Sequence, residues 1–225
     1  KFYGEGAKCW NNDVISSFDK PFKEAAGLCV LYGNLAPRGA ILKPSAASDH
    51  LLEHEGEAYV FESIEEMKET INNEDLPVTK DTVLVLKGCG PKGYPGMAEV
   101  GNMPIPAKLV KEGVRDMVRV SDARMSGTAF GTVILHVTPE AQEGGTLAFV
   151  ATGDRIRVSA EKGILELLVE QAEIDNRREN WKPTPSRYTR GYAKMYYDHV
   201  LQADQGADLD FLVGKDTKPV TRESH

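Results

Sequence analysis

Thr82-Val83-Leu84-Val85-Leu86-Lys87-Gly88-Cys89-Gly90-Pro91-Lys92-Gly93 is the stretch from which the rest of the chain is read. Threonine, valine and leucine run together without a charge and are stopped at once by Lys, Gly and Pro. That pattern predicts a short strand feeding a tight loop. Outward from it the same texture repeats. Residues 132–137 (Thr-Val-Ile-Leu-His-Val), 147–150 (Leu-Ala-Phe-Val) and 164–169 (Ile-Leu-Glu-Leu-Leu-Val) read as further strands. Residues 155–158 (Arg-Ile-Arg-Val) alternate charged and apolar groups and predict a strand with one wet face. Gly144-Gly145 and Thr152-Gly153-Asp154 supply turn chemistry between them.

Helices are fewer. Ser63 followed three residues later by Glu66 is a capping-box pattern. With Ile64, Met67 and Ile71 at helical spacing it predicts a helix over 63–72. Short helices are expected at 107–111 and from Thr138-Pro139-Glu140, with Thr138 as cap and Pro139 in the first turn. Residues 176–185 read as a polar, proline-containing crossover. Residues 188–204 carry Tyr192, Met195, Tyr196, His199, Val200 and Ala203 at helical spacing, and 215–225 form a polar tail. Strands dominate, so the expected class is α/β or a β-barrel-like core with helices outside, not a helical bundle.

The 225 residues carry 27 basic and 34 acidic side chains, a net charge of −7, which excludes a broad nucleic-acid or anionic-membrane footprint. No apolar run approaches the roughly 18 residues of a membrane span. The chain begins at Lys1 without the apolar core of a secretory signal, so it is expected to start within a longer polypeptide. Cys9, Cys29 and Cys89 are odd in number and widely spaced, which is no disulfide framework and fits a reducing cytoplasm.

Gly88-Cys89-Gly90-Pro91-Lys92-Gly93 matches a dinucleotide fingerprint, but Pro91 and Pro95 remove amides that a phosphate cradle needs. His50 and His54, four apart, could share a helical face as metal ligands. Gly56 follows at once and no third ligand is evident, so a solvated polar segment is expected instead. Two loops hold more promise. Gly93-Tyr94-Pro95-Gly96-Met97-Ala98-Glu99 ends on a carboxylate set by a Gly/Pro-rich backbone. Ser121-Asp122-Ala123-Arg124-Met125-Ser126-Gly127-Thr128 places two hydroxyls around a glycine. One of them could act as nucleophile or base if a cation or backbone amides assist it, or the segment could be a plain Ser/Thr turn.

These two loops, in this order, resemble the signatures of the dihydroxy-acid and sugar-acid dehydratases, the family that includes 6-phosphogluconate dehydratase. Residues 31–40, 58–62 and 136–141 are also similar to family segments, so the resemblance covers most of the chain, as the C-terminal part of such an enzyme. It implies a β-barrel like the swivelling domain of aconitase, with flanking helices. Residues 1–80 would be a lead-in from the domain junction, 81–175 the barrel core, and 176–225 the crossover, helix and tail. The implied reaction eliminates water from a 2,3-dihydroxy acid to give a 2-keto acid. A [2Fe–2S] cluster would act on the departing hydroxyl and Mg²⁺ would grip the acid end.

Carried over by position, Glu99 matches a Mg²⁺ ligand, Ser126 the base that takes the C2 proton, and Thr128 a substrate-binding residue, with Arg124 supporting the loop. The family's cluster cysteines and remaining Mg²⁺ ligands, a modified lysine among them, belong to an N-terminal domain outside this sequence. Cys9, Cys29 and Cys89 do not match them, and the chain alone is expected to be inactive. Gly206-Ala207-Asp208-Leu209-Asp210-Phe211-Leu212, together with Cys89, resembles the sugar-acid branch, with L-arabinonate or another pentonate as substrate. A branched dihydroxy acid is the alternative, and a non-enzymatic barrel subunit a second one. His225, at the end of the tail, is expected either to meet a substrate hydroxyl or to fray. The family implies a homodimer or homotetramer.

Overall fold

The computed structural model describes residues 9–22, 27–125, 127 and 130–214. Among these, β1 (Cys29–Leu31), β2 (Ala40–Leu42), β3 (Glu53–Phe61), β4 (Val83–Leu86), β5 (Arg119–Ser121), β6 (Val133–Leu135), β7 (Arg155–Ser159) and β8 (Ile164–Leu167) form one sheet. Its order is β1-β2-β6-β5-β4-β3-β7-β8. The run β3-β4-β5-β6 is parallel, and the other pairs are antiparallel. The edge strands nearly meet. Tyr32 donates its amide to the Gly163 carbonyl at 2.8 Å and accepts from the Leu165 amide at 2.8 Å, so the eight strands curl into a nearly closed barrel. The lead-in strands β1 to β3 belong to this sheet as fully as those that follow residue 81.

β4 explains its own sequence. Val83 and Val85 join Val60, Val120 and Ile134 inside the barrel, while Leu84 and Leu86 join Phe61, Met103 and Met117 on the outer side. Side chains alternate between faces, so a strand covered on both must be apolar throughout. β7 shows the opposite case. Arg155 and Arg157 are exposed while Ile156 and Val158 are buried, matching the alternation in the sequence.

The outer layer is closed by α1 (Ile64–Thr70) and α2 (Ala107–Lys111), which bury Ile64, Met67 and Leu109. Ser63 caps α1 by accepting from the Glu66 amide at 3.1 Å. Glu66 reaches back to the amide of Glu62, at 2.8 Å, one residue beyond the cap. α3 (Gln171–Asn180) and α4 (Gly191–His199) lie further along the chain.

Several local expectations are corrected. Residues 147–150 are not a strand but fall largely in the 3-10 turn Thr146–Phe149, which buries Leu147 and Phe149 in the barrel core; a short apolar run does not reveal its own period. No α-helix starts at 138. Thr138 donates its hydroxyl to the His136 carbonyl at 2.7 Å instead of capping. The Glu140 amide goes to Gln202 at 2.8 Å, and a single 3-10 turn, Ala141–Glu143, follows. The segment read as a crossover from 176 is half helix. α3 buries one residue, Ile174, and is laced by Arg177–Glu173 and Arg178–Asp175 pairs at 2.8 Å, so it carries almost no apolar period to read. α4 stops at His199, and Ala203–Gln205 forms a separate 3-10 turn. Among the described residues no helix is long and apolar enough to cross a membrane.

Candidate active site

Because β3, β4, β5 and β6 run parallel, the segments leaving Phe61, Leu86, Ser121 and Leu135 start from one end of the sheet. Carboxyl ends of parallel strands are where α/β sheets place their ligand chemistry. Two buried carboxylates organise this end. Asp122, directly after β5, accepts from the Cys89 amide at 2.8 Å through one oxygen and from the Ala141 amide at 2.9 Å through the other. Glu140 accepts from the amides of Lys92 (3.0 Å) and Gly93 (2.8 Å) and from the Gln202 side chain (2.6 Å).

The glycine loop that follows β4 is thus wrapped around the protein's own carboxylate. Gly90 must be glycine, because a Cβ there would lie 2.6 Å from the Cβ and a carboxylate oxygen of Glu140. Donors that could have faced a phosphate are already used, which agrees with the sequence argument against a dinucleotide cradle. Burial, then repulsion from Glu140, pushes Asp122 up to about 7. Burial also raises Glu140, against the pull of the Gly93 and Lys92 amides.

Past this clamp the loop reaches Glu99. Arg124 binds Glu99 at 2.9 Å and donates through Nε to the Met97 carbonyl at 2.8 Å, while its own carbonyl accepts from Gly101 at 3.0 Å. One arginine therefore sews the Glu99 loop to the loop that follows β5. The second loop is anchored beyond Arg124 as well. Lys43 donates to the Gly127 carbonyl at 2.7 Å, and Arg119 to that of Phe130 at 3.4 Å. The Gly131 amide donates to Ala46 at 2.8 Å. Ser126, Thr128 and His225 lie outside the described residues.

Arg119 itself is buried, paired at 2.9 Å with buried Asp116. Burial alone would raise Asp116, but the Thr132 amide and hydroxyl and the Ser48 amide hold it below its ordinary value.

Asp122, Glu140 and the tethers of Arg124 were not singled out by sequence reasoning, Arg124 only as loop support. The available signal was Asp122 inside the serine loop; nothing local marked Glu140 as anything but a helix start.

The donor chemistry fits a metal only in part. Glu99 offers a half-exposed carboxylate, an oxygen donor suited to a hard cation. Among the described residues no three His, Cys, Asp or Glu side chains gather as a metal site. The cysteines do not fit an iron–sulfur cluster. Burial and the nearby carboxylates keep the Cys89 thiol protonated, and it donates to the Lys87 carbonyl at 3.4 Å. Cys29 lies on β1, its thiol also raised by burial. His50 and His54 part company, the first in the 3-10 turn Asp49–Leu51 and the second on β3, bonded to the Asp81 carbonyl at 2.9 Å.

The family model described as "Dihydroxy-acid/6-phosphogluconate dehydratase C-terminal" matches residues 13–207. The chain belongs to this dehydratase family. It is 66% identical over 223 residues to a "Putative dehydratase IlvD1" of Rhizobium meliloti, covering 99% of this chain and 39% of the relative. To the "L-arabonate dehydratase" of Azospirillum brasilense it is 53% identical, covering 96% of this chain and 38% of that protein. To the "Dihydroxy-acid dehydratase" of Pyrobaculum aerophilum it is 39% identical over 86% of this chain and 34% of that one. The chain thus spans about two-fifths of the length of these dehydratase relatives.

Proposed function

We propose that this chain is the C-terminal part of an iron–sulfur- and Mg²⁺-dependent hydro-lyase that converts L-arabinonate or a related pentonate to the 2-keto-3-deoxy acid. The observation that carries this reading is the gradient of likeness. Identity is 53% and 52% to proteins named for L-arabonate and L-arabinonate, 45% to one named for 6-deoxy-6-sulfo-D-gluconate, and 39% or less to those named dihydroxy-acid dehydratase. The barrel is then the swivelling domain of an aconitase-like arrangement in a cytoplasmic homodimer or homotetramer. Exposed Trp10, Val14, Ile15, Phe18 and Phe22 support a further domain that packs here, since large apolar groups are rarely left in water together.

In this reading Ser126 takes the proton from C2 as an alkoxide, which a nearby cation must stabilise because a free hydroxyl is far too weak a base. The C3 hydroxyl leaves and takes up one proton to become water, which balances the proton that Ser126 removed and returns the serine to its starting state, and the enol that remains tautomerises to the keto acid. Thr128 hydrogen-bonds the substrate, Glu99 supplies one oxygen to Mg²⁺, and His225 meets a polyol hydroxyl. The bound groups would supply Lewis-acid pull on the leaving hydroxyl and charge neutralisation at the acid end, with the cluster's ligands outside this chain.

The test is 2-keto-acid formation by the anaerobically purified full-length protein with Mg²⁺, offered pentonates, hexonates and 2,3-dihydroxyisovalerate. Pentonate turnover that falls about 10²–10⁴-fold in Ser126→Ala is expected, the usual contribution of a general base. Turnover confined to the branched acid would move the protein to the other branch of the family. Full activity in Ser126→Ala would remove the serine from the reaction. No turnover of any acid would favour a non-enzymatic barrel.

A further inference from the structure

Among the described residues after Ile174, Val200 and Gln202 are the only two that are buried. The rest of that stretch, α4 included, is half-buried or exposed. One of its two buried places therefore goes to a polar side chain, and an amide leaves water without cost only where its hydrogen bonds are replaced. Both ends of the Gln202 amide meet one residue. Its side-chain oxygen accepts from the Glu140 amide at 2.8 Å, and its Nε2 donates to Glu140 Oε1 at 2.6 Å. Glu140 presents a donor and an acceptor side by side, and asparagine and glutamine are the side chains that answer both without a charge.

Gln202 stands at the tip of a small hairpin. Val200 and Leu209 form an antiparallel bridge, Leu201 donates its amide to the Asp208 carbonyl at 2.8 Å, and Asp210 to that of His199 at 2.9 Å. The backbone carbonyl of Gln202 closes the tip by accepting from Gln205 at 2.9 Å and Ala207 at 3.1 Å. From outside, Arg38 grips the tip through Asp204 at 2.7 Å and Gln205 at 3.0 Å. Ala207 lines one cleft with His136 and with Met97 of the Glu99 loop, all three at positive φ.

From Glu140 a run of hydrogen bonds leads to Glu99. The Glu140 carboxylate takes the Lys92 and Gly93 amides. Tyr94 donates to the Gly90 carbonyl at 3.0 Å, and Met97 to that of Tyr94 at 2.8 Å. Arg124 then holds the Met97 carbonyl with one nitrogen and Glu99 with another.

We propose that Gln202 is a positioning residue for the Glu99 loop. It fixes the Glu140 main chain and carboxylate from the C-terminal hairpin, and Glu140 fixes the loop through the Lys92 and Gly93 amides. The proposal deepens the dehydratase reading and rests on it for the role of Glu99 as an oxygen donor to Mg²⁺. It adds that a hairpin acting on Glu140, and not on Glu99 directly, sets where that donor stands.

Hydrogen–deuterium exchange and calorimetric Mg²⁺ titration of the full-length protein separate the link from its use. In Gln202→Leu, peptides covering 89–101 should exchange about tenfold faster, the scale of one lost hydrogen bond. Mg²⁺ should bind about tenfold more weakly, as when a residue that orients a metal's ligand is removed. Gln202→Glu sets a second carboxylate against that of Glu140 and should have the same two effects. Adding Glu140→Gln to it pairs donor with acceptor again and should restore both readings. Arg38→Ala is the control, since it frees the tip on its outer side and should speed exchange over 200–210 alone. Unchanged exchange over 89–101 in folded Gln202→Leu protein would overturn the link, whatever acid the protein turns over. Equal loosening of 89–101 by Arg38→Ala, or no recovery in the folded swapped pair, would make Gln202 a structural anchor and overturn the link as well. Faster exchange over 89–101 that the swap reverses, with Mg²⁺ affinity unchanged or absent from the wild type, would keep the link and sink Glu99 as a metal ligand.

Discussion

Asp116 stands shortly before β5 and Asp122 directly after it, and both are buried, yet their carboxylates behave oppositely. Asp116 faces Arg119 at 2.9 Å and gathers the amides of Ser48, Met117 and Thr132, and it stays below its ordinary pKa. Asp122 accepts two amides but has Glu140 nearby instead of a cation, and rises to about 7. The difference separates a lock from a scaffold. At one end of β5 charge is cancelled inside the protein, and Gly131 leaves the room that the Arg119 guanidinium takes up. At the other, carboxylates hold the backbone of the Glu99 loop without any cation to fix their protonation.

Breaking the lock has the largest expected effect on stability. Arg119→Met leaves Asp116 buried without its partner, and removal of one member of a buried pair costs about 3–5 kcal/mol. Urea unfolding of the full-length variant against the wild type measures it. A loss under about 1 kcal/mol would mean that the amides around Asp116 suffice alone.

The scaffold is tested next by Glu140→Ala, which strips the Lys92 and Gly93 amides and the Gln202 amide of their acceptor. The expected stability loss is about 1–3 kcal/mol for buried donors left unmet. Turnover should fall by about 10–100-fold as the Glu99 loop shifts. Activity unchanged beside a clear stability loss would show that the clamp does not position Glu99.

The smallest effect sharpens the contrast through pH. The folded state keeps the Asp122 proton up to about 7, whereas the unfolded chain releases it near the ordinary value of about 3.9. Between those values the folded state binds more protons, so the stability from this group is fullest below the unfolded pKa and is lost as pH rises to about 7. The difference in urea midpoint between the wild type and Asp122→Asn should therefore shrink over that window. A difference that grows with pH would place a cation near Asp122.

Much was legible before any coordinates. The helix over 107–111 and the one-sided strand at 155–158 appear where local pattern put them, and Ser63 caps α1. The two signature loops name the family. Arg124 was read as a loop support, and its bond to Glu99 gives that role a geometry. α3 was half missed because a helix with one buried residue writes almost nothing apolar into its sequence.

What the chain determines by itself is whatever neighbours within a few residues decide: caps, turns, strand texture, and the loops whose order marks the dehydratases. Only the tertiary structure decided that the edges at β1 and β8 nearly meet through Tyr32, that Glu140 fills a glycine loop 47 residues before it, and that Met97, His136 and Ala207 share one wall. Those pairings join segments tens to more than a hundred residues apart. Their hydrogen bonds and strain exist only once the sheet has brought them together, and no local pattern of residues encodes them.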